Sequence, residues 1–119
     1  MKTEIINFYE NEILKECTYY IGENQNENFD VIDKGGVDDL WFHASNKSSC
    51  HVVAILPDFK LSKKLKQLII KKGAILCKIN TNSLKSLNNV KVTYTKIKNV
   101  IKTTIPGTVN IIEEKLIIV

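Results

Sequence analysis

The sequence predicts an α+β fold, a single mainly antiparallel sheet with helices packed on it. Short alternating apolar segments lie at both ends of the chain, the pattern of half-buried strands. Between them, Asn24 to Lys34 carries helix caps, and the stretch after Pro57 has apolar residues at helical spacing. In the middle, Asp38-Asp39-Leu40-Trp41-Phe42-His43-Ala44 and Ser48-Ser49-Cys50-His51-Val52-Val53 form two strand-like halves around a polar loop. Strands at both ends with helices between them imply one sheet covered by helices on a face.

Thr3 to Tyr9 alternates, and Cys17 to Ile21 is aromatic-rich and stops at Gly22, so the two read as strands around a polar turn at Glu10 to Glu16. Glu23 to Lys34 has few apolar residues (Phe29, Val31 and Ile32), but its Asn24 to Asn28 run offers caps. A short helix ending before Gly35-Gly36 is expected. The central hairpin follows, with the single tryptophan and both histidines inside eleven residues. If Ser45 to Ser49 form a five-residue loop, Ala44 faces Cys50, His43 faces His51 and Trp41 faces Val53. Opposed residues of an antiparallel pair lie about 5 Å apart at Cβ, so two imidazoles and an indole share one patch. Such a patch is either a polar cluster in a core or a recognition surface.

Pro57-Asp58 punctuates the chain, with Asp58 as the expected cap of a helix over Phe59 to Lys72 whose Leu61, Leu65, Leu68 and Ile69 follow helical spacing. Lys60, Lys64, Gln67 and Lys71 fall on another face, ordinarily a solvated surface and alternatively a phosphate-binding one. Gly73 is expected to end or bend this helix, Ala74 to Ile79 is ambiguous, and Asn80 to Asn89 reads as a polar loop. Val90 to Tyr94 alternates cleanly as a strand. Lys96, Lys98 and Lys102 follow in a basic connector, and Pro106-Gly107 marks a turn. Thr108 to Ile112 and Leu116 to Val119 are expected to form a last hairpin through Glu113-Glu114-Lys115. No repeat, linker or low-complexity tail interrupts the chain.

The 119 residues fit one domain, residues 1–119, and 44% hydrophobic with 25% charged residues is ordinary for a globular chain. No run approaches a membrane span, and the start of the chain lacks the apolar core of a secretory signal. Three scattered cysteines, Cys17, Cys50 and Cys77, fit reduced thiols and a cytoplasmic location. The net charge of +4 is uneven. Residues 1–40 hold ten acids against three lysines (−7), and residues 41–119 hold fourteen lysines against three acids (+11), a hint of a basic face. Every basic residue is lysine, which together with the abundant Ile and Asn points to an AT-rich genome. Lysine attracts phosphate as a point charge, and arginine-type bidentate readout of bases is excluded.

Asp39, His43, Ser49, Cys50 and His51 are the residue types of nucleophilic catalysis, but no Gly-x-Ser-x-Gly elbow or oxyanion loop accompanies them. His43 and His51 lack a second ligand pair at zinc-finger spacing, and Lys34-Gly35-Gly36-Val37 matches no phosphate loop. Neither catalysis, nor a metal, nor any cofactor is expected. For Trp41, core packing is the default. For the histidines, structural and ligand-contacting roles stay open, since neutral imidazole both donates and accepts.

Gly22-x-Asn24-x-x-x-Asn28, Asp39-Leu40-Trp41-Phe42-His43, Ser48-Ser49-x-His51-Val52, Val92-x-Tyr94-Thr95 and Pro106-Gly107-x-Val109, in that order and spacing, resemble the NFACT-R domain. The resemblance covers roughly residues 17–112. That domain is the RNA-binding module of the ribosome quality-control proteins called RqcH in bacteria and NEMF in eukaryotes, and it forms the front of a small eukaryotic coiled-coil protein. The resemblance implies RNA as partner, tRNA or rRNA, with the large ribosomal subunit as a further one, and no membrane. The positions carried over are Asn28, Asp39, Trp41, His43, Ser49, His51 and Lys102. Glu23, where the family usually has a base, Phe29, where it often has an acid, and Ile101, in place of one lysine of a pair, depart from the pattern and imply fewer phosphate contacts. The family's other domains are expected to be absent, so the chain is not expected to act as a complete elongation factor.

The expectation is a non-catalytic RNA-binding module. His43, His51 and an exposed edge of Trp41 would meet a base or sugar, while Lys96, Lys98 and Lys102 hold phosphates. The alternatives are a protein-interaction adaptor pairing through the strand Leu116 to Val119, or a DNA-binding module of the same family. Which RNA is bound, and in what oligomeric state, the sequence leaves open.

Overall fold

The computed structural model describes residues 1–57 and 60–119. Lys2–Glu10 (β1) and Ile13–Ile21 (β2) form a long hairpin in which Glu10 faces Ile13 across Asn11 and Glu12. Both turn residues have positive φ, 50° and 66°, as the tight turn of a right-twisted hairpin requires. The expected broad turn from Glu10 to Glu16 is therefore mostly strand. Its polar side chains are tolerated because this end of the ladder is exposed to solvent.

Gln25–Lys34 (α1) begins where the Asn24 side chain accepts a hydrogen bond from the Glu27 N–H at 2.9 Å, and it stops at Gly35, as the caps predict. Leu40–Ala44 (β3) and Val52–Ile55 (β4) pair with Trp41 opposite Val53, the register the sequence implies. Lys63–Ile79 (α2) follows. The expected Asp58 cap lies outside the described residues, and the observed cap is Ser62, whose hydroxyl accepts from the Leu65 N–H at 3.1 Å. Lys64, Gln67 and Lys71 are exposed, the solvated face anticipated for them.

Lys91–Lys96 (β5) leads through a 3₁₀ turn at Ile97–Asn99 into Val100–Lys102 (β6), Val109–Ile111 (β7) and Lys115–Ile118 (β8). The predicted last hairpin does not form. β7 pairs instead with β6 in a small separate sheet, and β8 runs along β5. The physical reason is burial: Val100, Val109 and Ile111 pack against Trp41, Val31 and Ile32, which a hairpin with β8 would forgo.

The main sheet has the order β1-β2-β4-β3-β5-β8, every pair antiparallel. Successive side chains alternate between its faces. Leu40, Phe42, Val52 and Ala54 join the apolar side of α2, while Trp41 and Val53 join α1 and the β6–β7 sheet. The helices thus cover opposite faces rather than one. Covering both faces explains why β3 and β4 read as nearly unbroken apolar runs.

Gly73 does not end α2, which runs on to Ile79. A Cβ at this position would lie 2.4 Å from the Phe42 ring, so glycine lets the helix lie directly on β3. Gly73→Ala is expected to lower folding stability by about 1–3 kcal/mol, the usual cost of overpacking a tight core. Chemical denaturation measures this, and wild-type stability in the variant would contradict the packing described.

Candidate nucleic-acid interface

Trp41 is only 1% exposed, so its indole N–H must find a partner inside the protein. It donates to His51 Nδ1 at 3.1 Å. His51 is equally buried, and with Nδ1 accepting, the neutral ring carries its proton on Nε2. The His51 backbone is held as firmly: its N–H donates to Asn28 Oδ1 at 3.0 Å, and its carbonyl accepts from the Gly22 N–H at 3.0 Å. Gly22 is required here, because a Cβ would fall 2.4 Å from Asn28 Oδ1. Asn28 thereby ties α1 to the segment that delivers His51 just before β4.

His43, one turn of the pleat beyond Trp41, lies nearly parallel to the indole, with ring centroids 5.8 Å apart and 6° between planes. It meets His51 edge-on at 4.8 Å, and unlike the other two rings it is partly open to solvent. Together they floor a pocket of about 340 Å³ whose rim is Asn28, Ser48, Ser49 and the Pro106–Gly107 turn. Gly107, at φ 81°, brings that turn against α1, where its Cβ position is 3.2 Å from the Gln25 Cα. Five carried-over positions, Asn28, Trp41, His43, Ser49 and His51, converge on this one cavity. The expected exposed edge of Trp41 does not exist. The indole positions the imidazoles from beneath, and His43 is the open aromatic surface.

Both imidazoles are hard to protonate. Burial pushes His51 down to about 3, reinforced by the neighbouring His43, and burial likewise lowers His43. At neutral pH the floor of the pocket is uncharged but rich in donors and acceptors, suited to base edges and hydroxyls rather than to phosphate.

Asp39 stands apart: its carboxylate accepts from the N–H groups of Gly36 at 2.7 Å and Leu56 at 2.9 Å, which fixes the loop before β3. The Ser49 hydroxyl accepts from the Ala44 N–H and donates to the Cys50 carbonyl, both at 2.9 Å. A nucleophile–base arrangement of Asp39, Ser49 and a histidine is not assembled. Among the described residues, no group of three His, Cys, Asp or Glu could hold a metal, and no helix is long and apolar enough to cross a membrane.

The three predicted lysines do not form one patch. Lys96 is paired in register with Leu40 and so points to the α2 face, away from Trp41. Lys96 and Lys98 both reach Asp38, at 3.5 and 3.9 Å. Lys102 is on the pocket side, opposite Val109 of the pocket wall, and binds both Asp33 oxygens at 2.7 Å. The acidic first third of the chain folds against the basic remainder and divides its charge. Two lysines overlooked in the sequence lie nearer. Lys47 lines a groove shared with Trp41 and His43, and Lys2 lines a cleft shared with Asn28 and Ser49. The position of Lys47 in the hairpin loop was the available signal.

The family model described as NFACT protein RNA binding domain matches residues 7–112. The chain belongs to that family. As an NFACT RNA-binding domain it is an RNA-binding module in general character. It is 35% identical over 86 residues to the coiled-coil domain-containing protein 25 of Mus musculus and to that of Bos taurus, and 31% identical to that of Danio rerio. The match takes in 72% of this chain but only 41% of the mouse protein, so the chain spans about two fifths of these relatives' length. Among solved structures it is similar to the C-terminal part of the fibronectin/fibrinogen-binding protein from Streptococcus suis. There the TM-score is 0.72 at 25% identity, over 87% of this chain and 40% of that one.

In this NFACT RNA-binding domain, His51 ties stability to pH. Its pKa is about 3 when folded against an ordinary 6.5, so the unfolded chain takes up the proton first. The stabilisation is complete above about pH 6.5 and is lost progressively towards pH 3, at up to ~1.4 kcal/mol per pH unit. Denaturation midpoints measured from pH 7 to 4.5 should fall more steeply for the wild type than for His51→Asn, which retains an acceptor. Equal slopes would contradict the buried neutral imidazole.

Proposed function

We propose that this domain binds RNA without chemistry, receiving an unpaired base or ribose edge over His43 at the mouth of the Asn28–Ser49–His51 pocket. The observation that carries the proposal is the convergence of five family-motif residues from α1, β3 and the segment before β4 on one neutral, polar cavity. Ribose hydroxyls and Watson–Crick edges suit such a surface, and the exposed face of an imidazole is a stacking platform. Lys2, Lys47 and Lys102 around the rim hold the flanking phosphates. For Lys102 this means exchanging Asp33 for phosphate, which is feasible because exposed ion pairs contribute little. Lys96 and Lys98, on the far side with Asp38, contribute only to the general field. The match to an RNA-binding domain family is what supports a role without catalysis.

The resemblance directs the reading further, to tRNA or rRNA handled in ribosome quality control, in the cytoplasm, with the large ribosomal subunit as the larger partner. One observation favours a second role as an adaptor: β8 is an edge of the main sheet, with Leu116 and Ile118 55% and 58% exposed. A protein partner captured on that edge would survive nuclease treatment, whereas an RNA-bridged one would not.

Binding of fluorescent tRNA at several salt concentrations tests the proposal. His43→Ala is expected to weaken binding about tenfold, roughly 1.4 kcal/mol, in a domain that remains cooperatively folded. Lys47→Ala and Lys102→Ala should each reduce the log–log salt slope by about 0.7 to 0.9, and Lys96→Ala should leave it nearly unchanged. Wild-type affinity in His43→Ala, or salt-indifferent binding, would overturn it.

A further inference from the structure

We propose that Cys50 and Cys77 form a redox-sensitive thiol pair at which a peroxide closes a disulfide between the segment leading into β4 and helix α2. The inference is independent of the RNA reading and rests on how the two residues face each other. The Cys50 thiol donates to the Cys77 carbonyl at 3.4 Å, and the Cys77 thiol donates to the Cys50 carbonyl at 3.4 Å. Each sulfur therefore sits against the other residue's backbone, which makes the two cysteines direct neighbours. Hydroxyls surround them: Thr81 Oγ1 is 3.5 Å from Cys50 Sγ, and Ser49 Oγ is 3.6 Å from Cys77 Sγ.

The two thiols differ as an attacking and a resolving group should. Cys50 is partly exposed and lines a cleft of about 640 Å³ that also contains Lys2, so a small oxidant can reach it. The hydrogen bond from Cys77 pulls the Cys50 thiol down to about 7, with Thr81 and the Lys2 charge acting in the same direction. Cys77, fully buried behind it, is pushed well up by that same contact and by burial. Cys17 supplies the internal control. It donates to the Ile55 carbonyl at 3.2 Å, is fully buried, and is raised to about 11.

The chemistry balances with hydrogen peroxide as oxidant. The Cys50 thiolate attacks one peroxide oxygen, the O–O bond breaks, and the leaving hydroxide takes a proton to become water. The product is a sulfenic acid on Cys50. The Cys77 thiol then attacks that sulfur, the S–S bond forms, the S–O bond breaks, and its proton leaves with the hydroxyl as a second water. Two electrons pass from the sulfur pair to the peroxide, and a thiol reductant reverses the change.

Treating the folded protein with hydrogen peroxide, then alkylating and mapping by mass spectrometry, tests the assignment. Free thiols are expected to fall from three to one, with loss of two hydrogens, a cross-linked peptide joining Cys50 to Cys77, and Cys17 still alkylated. Dithiothreitol should restore all three. In Cys77→Ala the resolving thiol is gone, so a Cys50 sulfenic acid should accumulate and be trapped by dimedone. Cys17→Ser should form the bridge as the wild type does. Retention of all three thiols, a bridge through Cys17, or Cys50 passing to sulfinic acid without bridging in the wild type would each overturn the proposal.

Discussion

A buried indole N–H without an acceptor costs about 1–3 kcal/mol, and this chain supplies the acceptor as an imidazole ten residues along, across the central hairpin. The Trp41–His51 hydrogen bond sits between the main sheet and the layer formed by α1 and β6–β7. It fixes the His51 tautomer and sets the plane over which His43 lies, while burial keeps the ring neutral. The Asn28 side chain, bonded to the His51 backbone, brings the start of α1 to the same place. These two bonds together hold the floor of the pocket and one of its walls in place.

Around this neutral centre the charges are distributed by pairing rather than gathered into a face. Asp38 holds Lys96 and Lys98, and Asp33 holds Lys102, while Lys2 and Lys47 stand near the pocket. An interface of this kind separates two tasks. Lysine charges draw the polyanion in and set its salt dependence, while uncharged donors and acceptors meet the parts of RNA that phosphate-binding groups cannot read. The lack of arginine makes the division sharper, since no side chain here combines charge with a planar fork.

Local signals in the sequence were reliable where the controlling interaction is itself local. Asn24 caps α1 through its own side chain, Gly35 ends it, and the length of the loop from Ser45 to Ser49 sets Trp41 opposite Val53. The NFACT motif positions were legible too, and five of them meet in one cavity. What escaped depends on distant partners. Whether Thr108 to Ile112 pairs with β6 or β8 is decided by burial against Trp41. Gly73 reads as a helix breaker until Phe42 is seen beneath it. The charge of a lysine is visible in the chain, but its pairing with Asp38 or Asp33, and the sheet face it occupies, emerge only once the strands are in register.

Amide chemical shifts followed while unlabelled single-stranded RNA is added to isotope-labelled protein test the central claim most directly. The account predicts that the largest changes cluster at Asn28, His43, Ser48, Ser49 and Gly107, residues far apart in the chain that meet at one cavity. Changes concentrated around Asp38, Lys96 and Lys98, or along β8, with the pocket amides unmoved, would contradict it.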